Sequence, residues 1–196
     1  MNLRRMLIAA MAGLVGCGVT SAAMAAPASK GKSSASEARP AATGSVGAEP
    51  TLIGQYGTWG AYMAAPGGKK VCFVLAKPSS SKTTPAGRPR DPAYAFISTR
   101  PAEKVVNEVS VMIGYPLKPG SESTMEVGGA SFAMYTQGDG IWIKNAAEED
   151  RLVEALRKSG EVTVKGVSAK GTATTDVFSL KGLAQALDKV AQSCGG

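Results

Sequence analysis

The sequence predicts a mainly β domain, an antiparallel sandwich or curled sheet with two short helices packed on it. Six short runs rich in aromatic or β-branched residues recur between Gly and Pro punctuation. Only two stretches repeat apolar residues at three- and four-residue spacing. Twenty-four glycines and eleven prolines in 196 residues are many for a helical bundle and too aperiodic for a collagen-like repeat.

The expected strands are Tyr56 to Met63, Val71 to Ala76, Tyr94 to Thr99, Val105 to Ile113, Ser131 to Tyr135 and Ile141 to Lys144. Gln137-Gly138-Asp139-Gly140 reads as a hairpin turn because Gly and Asp tolerate positive φ, and Gly128-Gly129 marks another turn. Val162 to Val167 and Thr172 to Phe178 form a later pair around Lys170-Gly171. Asn145 is placed to cap the first helix, with Glu148 reaching back and Glu149 and Asp150 matched to the helix dipole. Leu152, Val153 and Leu156 form its apolar face and Gly160 ends it. The second helix runs from about Leu180 to Gln192, with Leu180, Leu183, Leu187 and Val190 as one stripe that Cys194 continues. Sandwich and α+β arrangements both fit this pattern.

Residues 1–25 read as an export signal. Arg4 and Arg5 precede an apolar stretch from Met6 to Val19, and Ala23-Met24-Ala25 supplies a small-x-small site with cleavage after Ala25. The apolar run is short for a bilayer span of roughly 20 residues. Leu14-Val15-Gly16-Cys17 also matches a bacterial lipobox, which would make Cys17 the lipidated first residue and the protein lipid-anchored instead of periplasmic or secreted. Removing residues 1–25 leaves a net charge of +5. Residues 26–50 hold one branched aliphatic, Val46, and no aromatic, so they read as a disordered Ala/Ser/Gly/Pro linker before a folded domain at 51–196.

Several chemistries are excluded by composition. There is no histidine, so Ser-His-Asp and Cys-His catalysis and histidine-bound zinc are absent, and three cysteines cannot build a four-thiolate site. No cofactor or metal is implied. After signal removal two cysteines remain. Cys72 lies in an apolar run that reads as a central strand, and Cys194 ends the last apolar stripe, so an oxidising compartment favours a bridge between them. The alternative is two unpaired thiols.

Charge is unevenly spread. From Lys69 to Lys104 there are eight basic and two acidic residues, whereas from Val105 onward there are nine basic and eleven acidic ones. The excess surrounds Lys77 to Pro92, which reads as a long irregular loop. Its Lys77, Lys82, Arg88 and Arg90 are the candidates for contact with anionic lipid, lipopolysaccharide or an acidic protein; the plainer reading is a solvated loop. It holds no aromatic on which bases would stack, which argues against nucleic acid.

Other motifs are weaker. Ser79-x-x-Lys82 matches the serine–lysine pattern of penicillin-binding enzymes but lies in a Ser/Thr/Pro run without the helix that chemistry needs. Glu148, Glu149 and Asp150 read as helix-start acids, Asp139 as a turn residue and Gly67 to Lys70 as a tight turn. Trp59 and Trp142 read as core or edge anchors.

Four segments resemble the invasion-associated locus B family of exported alphaproteobacterial proteins. Ile53-Gly54-Gln55-Tyr56-Gly57-Thr58-Trp59 is similar to its aromatic-Gly-x-Trp opening, and Lys70-Val71-Cys72-Phe73-Val74 to its second segment. Val109 to Gly120 resembles its middle strand and Pro-containing turn, and Phe178 to Leu187 its closing strand-to-helix motif. The resemblance implies a small β-rich exported domain linked by name to host-cell invasion, with no catalytic residues to carry over. The chain departs from the family pattern in having Tyr62 where many members have a cysteine, and none between Ser131 and Lys144.

The expectation is therefore a non-enzymatic, exported binding protein of the cell envelope. The alternatives are a structural protein that pairs with its own copies, and a hydrolase built on two carboxylates.

Overall fold

The structure is a computed structural model and describes residues 49–195. The signal ending at Ala25, the lipobox Cys17 and residues 26–48 of the linker lie outside the described residues.

Alternating apolar and polar side chains drive strand formation along most of the chain. The strands are β1 (Thr51–Tyr56), β2 (Trp59–Ala64), β3 (Val71–Ala76), β4 (Ser80–Thr84), β5 (Tyr94–Arg100) and β6 (Val105–Met112). After them come β7 (Ser123–Val127), β8 (Ala130–Gln137), β9 (Gly140–Ile143), β10 (Glu161–Val167) and β11 (Ala173–Ser179). The helices are α1 (Glu149–Lys158) and α2 (Leu183–Cys194). All the strand pairings are antiparallel, in one sheet ordered β1-β2-β3-β5-β6-β9-β8-β7-β10-β11-β4.

That order requires a curled sheet. Only residues 77–79 join β3, third from one edge, to β4 at the other edge. So short a link spans at most about 14 Å, so the sheet must bend round on itself. Its inner face carries Cys72, Val74, Ile97, Val111, Ile141, Phe132, Met125, Val164 and Phe178, all nearly solvent-free. The buried stripe of α2, Leu183, Ala186, Leu187 and Val190, packs against β1, β2, β3 and β5. The Cys72–Cys194 disulfide joins β3 to the end of that helix. Helix α1 packs against β6 and β7 through Leu152, Val153 and Leu156.

Two of the segments quoted above meet and close the curl. The Trp59 indole N–H donates to the Ser179 carbonyl at 2.9 Å. A Cβ on Gly182 would collide with the Tyr56 carbonyl oxygen, and one on Gly57 would come within 2.6 Å of the Lys181 carbonyl. Both glycines have positive φ, 93° and 59°, so the chain ends approach at a spacing that a side chain would prevent.

The structure differs from the sequence reading at five points. Tyr56 to Met63 is not one strand, because Gly57 at positive φ turns the chain between β1 and β2. The segment 77–92 is not irregular throughout, since Ser80–Thr84 pairs with β11 as β4. Strand β7, and β1 before Tyr56, were not expected. The Glu148 carboxylate does not reach back over Asn145; it pairs with Arg151 at 2.6 Å, while Asn145 accepts from the Ala147 N–H. Helix α2 begins at Leu183, three residues late, because Gly182 holds a left-handed conformation there.

Candidate functional site

The basic segment is built onto the β4 edge, which pairs with β11. Its four candidate cations take different positions. Lys77 sits over the Tyr94 ring, 5.5 Å from its centroid. Lys82 is exposed on β4, in register with Thr175. Arg88 is exposed, and its backbone N–H donates to the Thr83 hydroxyl at 3.2 Å.

Arg90 is different, and its expected role needs correcting. Its guanidinium turns inward onto Asp176, whose side chain is fully buried. Nη1 donates to Asp176 Oδ2 at 2.8 Å and to the Ile113 carbonyl at 2.9 Å. Nη2 pairs with Asp176 Oδ1 and donates to the Ser81 hydroxyl at 3.0 Å. Both terminal nitrogens are therefore committed inside the protein, and the charge is balanced there. Asp91 N–H donates to the Gly114 carbonyl at 3.0 Å, and a Cβ on Gly114 would collide with the Asp91 carbonyl, so the Ile113–Gly114 backbone buttresses this segment.

Between this segment, the Tyr115-Pro116 corner and the β10–β11 turn lies a cleft of about 500 Å³. Pro85, Pro89, Pro116 and Tyr115 form apolar walls; Arg88, Lys170, Thr83, Ser168, Thr172 and Thr174 contribute polar groups. The Tyr115 hydroxyl lies 2.5 Å from Thr174 Oγ1, and the Arg90 guanidinium sits 5.9 Å from the Tyr115 ring centroid. Burial raises the Tyr115 pKa above its usual value, so the phenol stays protonated at neutral pH. No carboxylate lines the cleft. The sequence reading reached Arg88 but not Lys170, Tyr115 or Ser168, whose convergence depends on three separate segments.

Elsewhere half of the described cations are ion-paired, while Lys69, Lys70, Lys104, Lys118, Lys181 and Lys189 have no carboxylate partner among the described residues. Arg100 pairs with Glu103 and Glu108, Lys144 with Glu122, Arg157 with Asp188, Lys158 with Glu154 and Lys165 with Glu126. Lys77, Lys82, Arg88 and Lys170 have no carboxylate partner among the described residues.

Glu149 is the acid with a raised pKa. Burial is the largest cause, opposed by the Val109 N–H that its carboxylate accepts at 2.8 Å and reinforced by the Glu108 and Asp150 charges. It does not border the cleft. Asp139 lies in the β8–β9 turn and gives its carbonyl to the Ile113 N–H. Gly67 and Gly68 lie in a short 3-10 turn before β3. Ser79 extends β4, donating its N–H and hydroxyl to the Val177 carbonyl at 2.7 and 2.9 Å, which leaves it no nucleophile geometry with Lys82.

The outer face of the sheet carries a second feature. Six of the eleven aromatic side chains line it across β2, β3, β5, β8 and β9. Tyr62 stacks on Phe73 at 5.3 Å and Tyr135 on Trp142 at 5.5 Å, with Phe96 and Tyr94 continuing the row. Trp59 is the core anchor expected of it; Trp142 is half-buried on this outer face. Leu52, on the β1 edge strand, and Tyr135 are exposed.

Among the described residues no helix is long and apolar enough to cross a membrane. Among curated proteins and among solved structures, none matches the chain. The family model described as Invasion associated locus B (IalB) protein matches residues 59–191, which run from the Trp59 contact through the cleft to the body of α2. The chain belongs to the invasion associated locus B protein family.

Proposed function

We propose that this is an exported, non-enzymatic binding protein of the bacterial envelope, periplasmic or secreted, whose basic face meets anionic membrane or envelope components or an acidic protein. The observation that carries this reading is the basic stretch from Lys77 to Arg88, in which Lys77, Lys82 and Arg88 have no ion-pair partner among the described residues and Arg88 shares a cleft with Lys170. Unpaired surface cations keep their charge available to an anionic partner, whereas paired ones do not. The disulfide fits an oxidising compartment.

The test is co-sedimentation with phosphatidylglycerol vesicles across a salt series. Replacing Lys77, Lys82 and Arg88 by Ser removes about 3 kcal/mol of attraction at low salt, at roughly 1 kcal/mol per charge near an anionic surface. Arg90 is left in place because Asp176 balances it. Binding that ignores salt, or no binding at any ionic strength, refutes the reading.

The aromatic outer face favours a second reading, a structural protein that pairs with its own copies. Apolar side chains spread over several neighbouring strands next to the free β1 edge suit burial between two chains. Sedimentation velocity would then show a dimer that Leu52→Ser with Tyr135→Ser converts to monomer; a monomer at all concentrations removes this reading.

A further inference from the structure

We infer that the cleft beside Tyr115 is a binding site for a small organic oxyanion, a molecule with a flat or aliphatic apolar body and one phosphate or carboxylate group. The argument starts from its lining. A cavity of about 500 Å³ lies within the range that holds small organic ligands. Three prolines form much of its wall, and a proline has no N–H to satisfy and little freedom to lose, so this wall is apolar and already rigid. Tyr115 completes it, its hydroxyl fixed by Thr174.

The polar side of the cleft is rich in donors. Arg90 is balanced by Asp176, so the net positive charge comes from Arg88 and Lys170. Thr83 Oγ1 already accepts from the Arg88 N–H, and Ser168 Oγ from the Thr172 N–H at 3.0 Å. Each hydroxyl therefore keeps its proton to donate. Two cations and two hydroxyl donors, with no lining carboxylate, complement an acceptor-only group such as a phosphate or carboxylate. A bare inorganic anion would leave the proline and tyrosine walls unused.

The oxyanion has two sources, a free molecule or a lipid headgroup, and the experiment separates them. The 15N-labelled protein is titrated with 1-naphthyl phosphate and, separately, with 1-naphthol and with inorganic phosphate. The expected result is saturable shifts of the Thr83, Arg88 and Ala169–Thr172 amides, with affinity at least tenfold above either half-ligand. Lys170→Ser, an exposed turn substitution that spares the fold, weakens binding at least fivefold; Lys69→Ser, an exposed change away from the cleft, leaves it unchanged. Displacement of bound naphthyl phosphate by phosphatidylglycerol vesicles assigns the headgroup as the source, and its retention assigns the free molecule. The inference is overturned by unsaturable or scattered shifts, by equal affinity for inorganic phosphate, or by an unaltered Lys170→Ser titration. Because the soluble probe needs no vesicle, this site and the membrane reading fail separately.

Discussion

Replacing Asp176 by Asn tests what holds the basic segment to the sheet. The substitution preserves side-chain shape but removes the charge opposite Arg90, whose side chain is only 10% exposed. One carboxylate accepts from both Arg90 terminal nitrogens and from the Ser81 hydroxyl at 2.7 Å, so β4, β11 and the 77–92 segment share one anchor. Breaking a buried pair from one side strands the remaining charge and costs about 3–5 kcal/mol. A domain of ordinary stability has about 5–15 kcal/mol in total, so the loss is a large fraction of it. Urea unfolding followed by fluorescence of Trp59 and Trp142 should show the midpoint falling sharply. Hydrogen exchange should show the Ser80–Thr84 amides opening first, because β4 pairs only with β11. Replacing both partners, Asp176→Leu with Arg90→Met, should recover most of the loss, since no charge is then stranded. An Asp176→Asn protein within about 1 kcal/mol of the parent would refute the claim that this ion pair fastens β4.

Three further outcomes follow from the contacts that close the curl and from Glu149. Trp59→Phe keeps one aromatic ring but loses the pyrrole half of a buried indole and its bond to the Ser179 carbonyl, so unfolding free energy in urea should drop by about 1–2 kcal/mol for the bond and further for the cavity. Cys194→Ser removes a link closing a 122-residue separation and should cost about 4–5 kcal/mol in the chain-entropy model, read as the difference in denaturation midpoint under oxidising conditions. Glu149 has a folded pKa raised above 4.5, so the folded protein binds the proton more tightly than the unfolded chain. Its contribution is greatest below about pH 4.5 and is lost as pH rises through the raised value. Glu149→Gln should flatten that decline in a pH series of urea midpoints, with its side-chain oxygen still accepting from Val109; an unchanged slope would show that burial does not govern this carboxyl.

Much of the fold was legible because most strands bury one face. Val71 to Ala76 and Val162 to Val167 carry β-branched residues at alternating depth, and the α2 stripe repeats at helical spacing. Strand β4 was not legible because Ser80–Thr84 sits at an edge with little to bury, and its register comes from β11 and from Asp176. The aromatic face was hidden for a related reason. In β3 and β5 the outward positions hold Phe73 and Phe96, so apolar residues occupy both sides and the alternation that reports orientation disappears. Cys72 therefore looked central from sequence, and it is, but its strand shows one of its apolar faces outward. The cleft was hidden because no sequence window spans Thr83 to Arg90, Tyr115-Pro116 and Ser168 to Thr174 together.

The four family-like segments divide by what they do in this fold. The opening segment and the strand-to-helix segment meet through Trp59, Ser179, Gly57 and Gly182, at contacts that a side chain on either glycine would prevent. The cysteine segment ties β3 to α2. None of these three lines the cleft. The middle segment is different: Ile113 and Gly114 hold Arg90 and Asp91 in place, and Tyr115 and Pro116 then form a wall of the cleft. The residues that the family model matches include most of the curled sheet and this corner, and a shared fold does not by itself specify a ligand. Specificity at that corner rests on Arg88 and Lys170, one carried by the basic segment and one by the β10–β11 turn. Exchanging Lys170 for Glu should therefore abolish oxyanion binding while leaving the urea midpoint within about 0.5 kcal/mol, the usual range for an exposed substitution. A large fall in stability instead would mean that Lys170 belongs to the scaffold and that the cleft has no separate function.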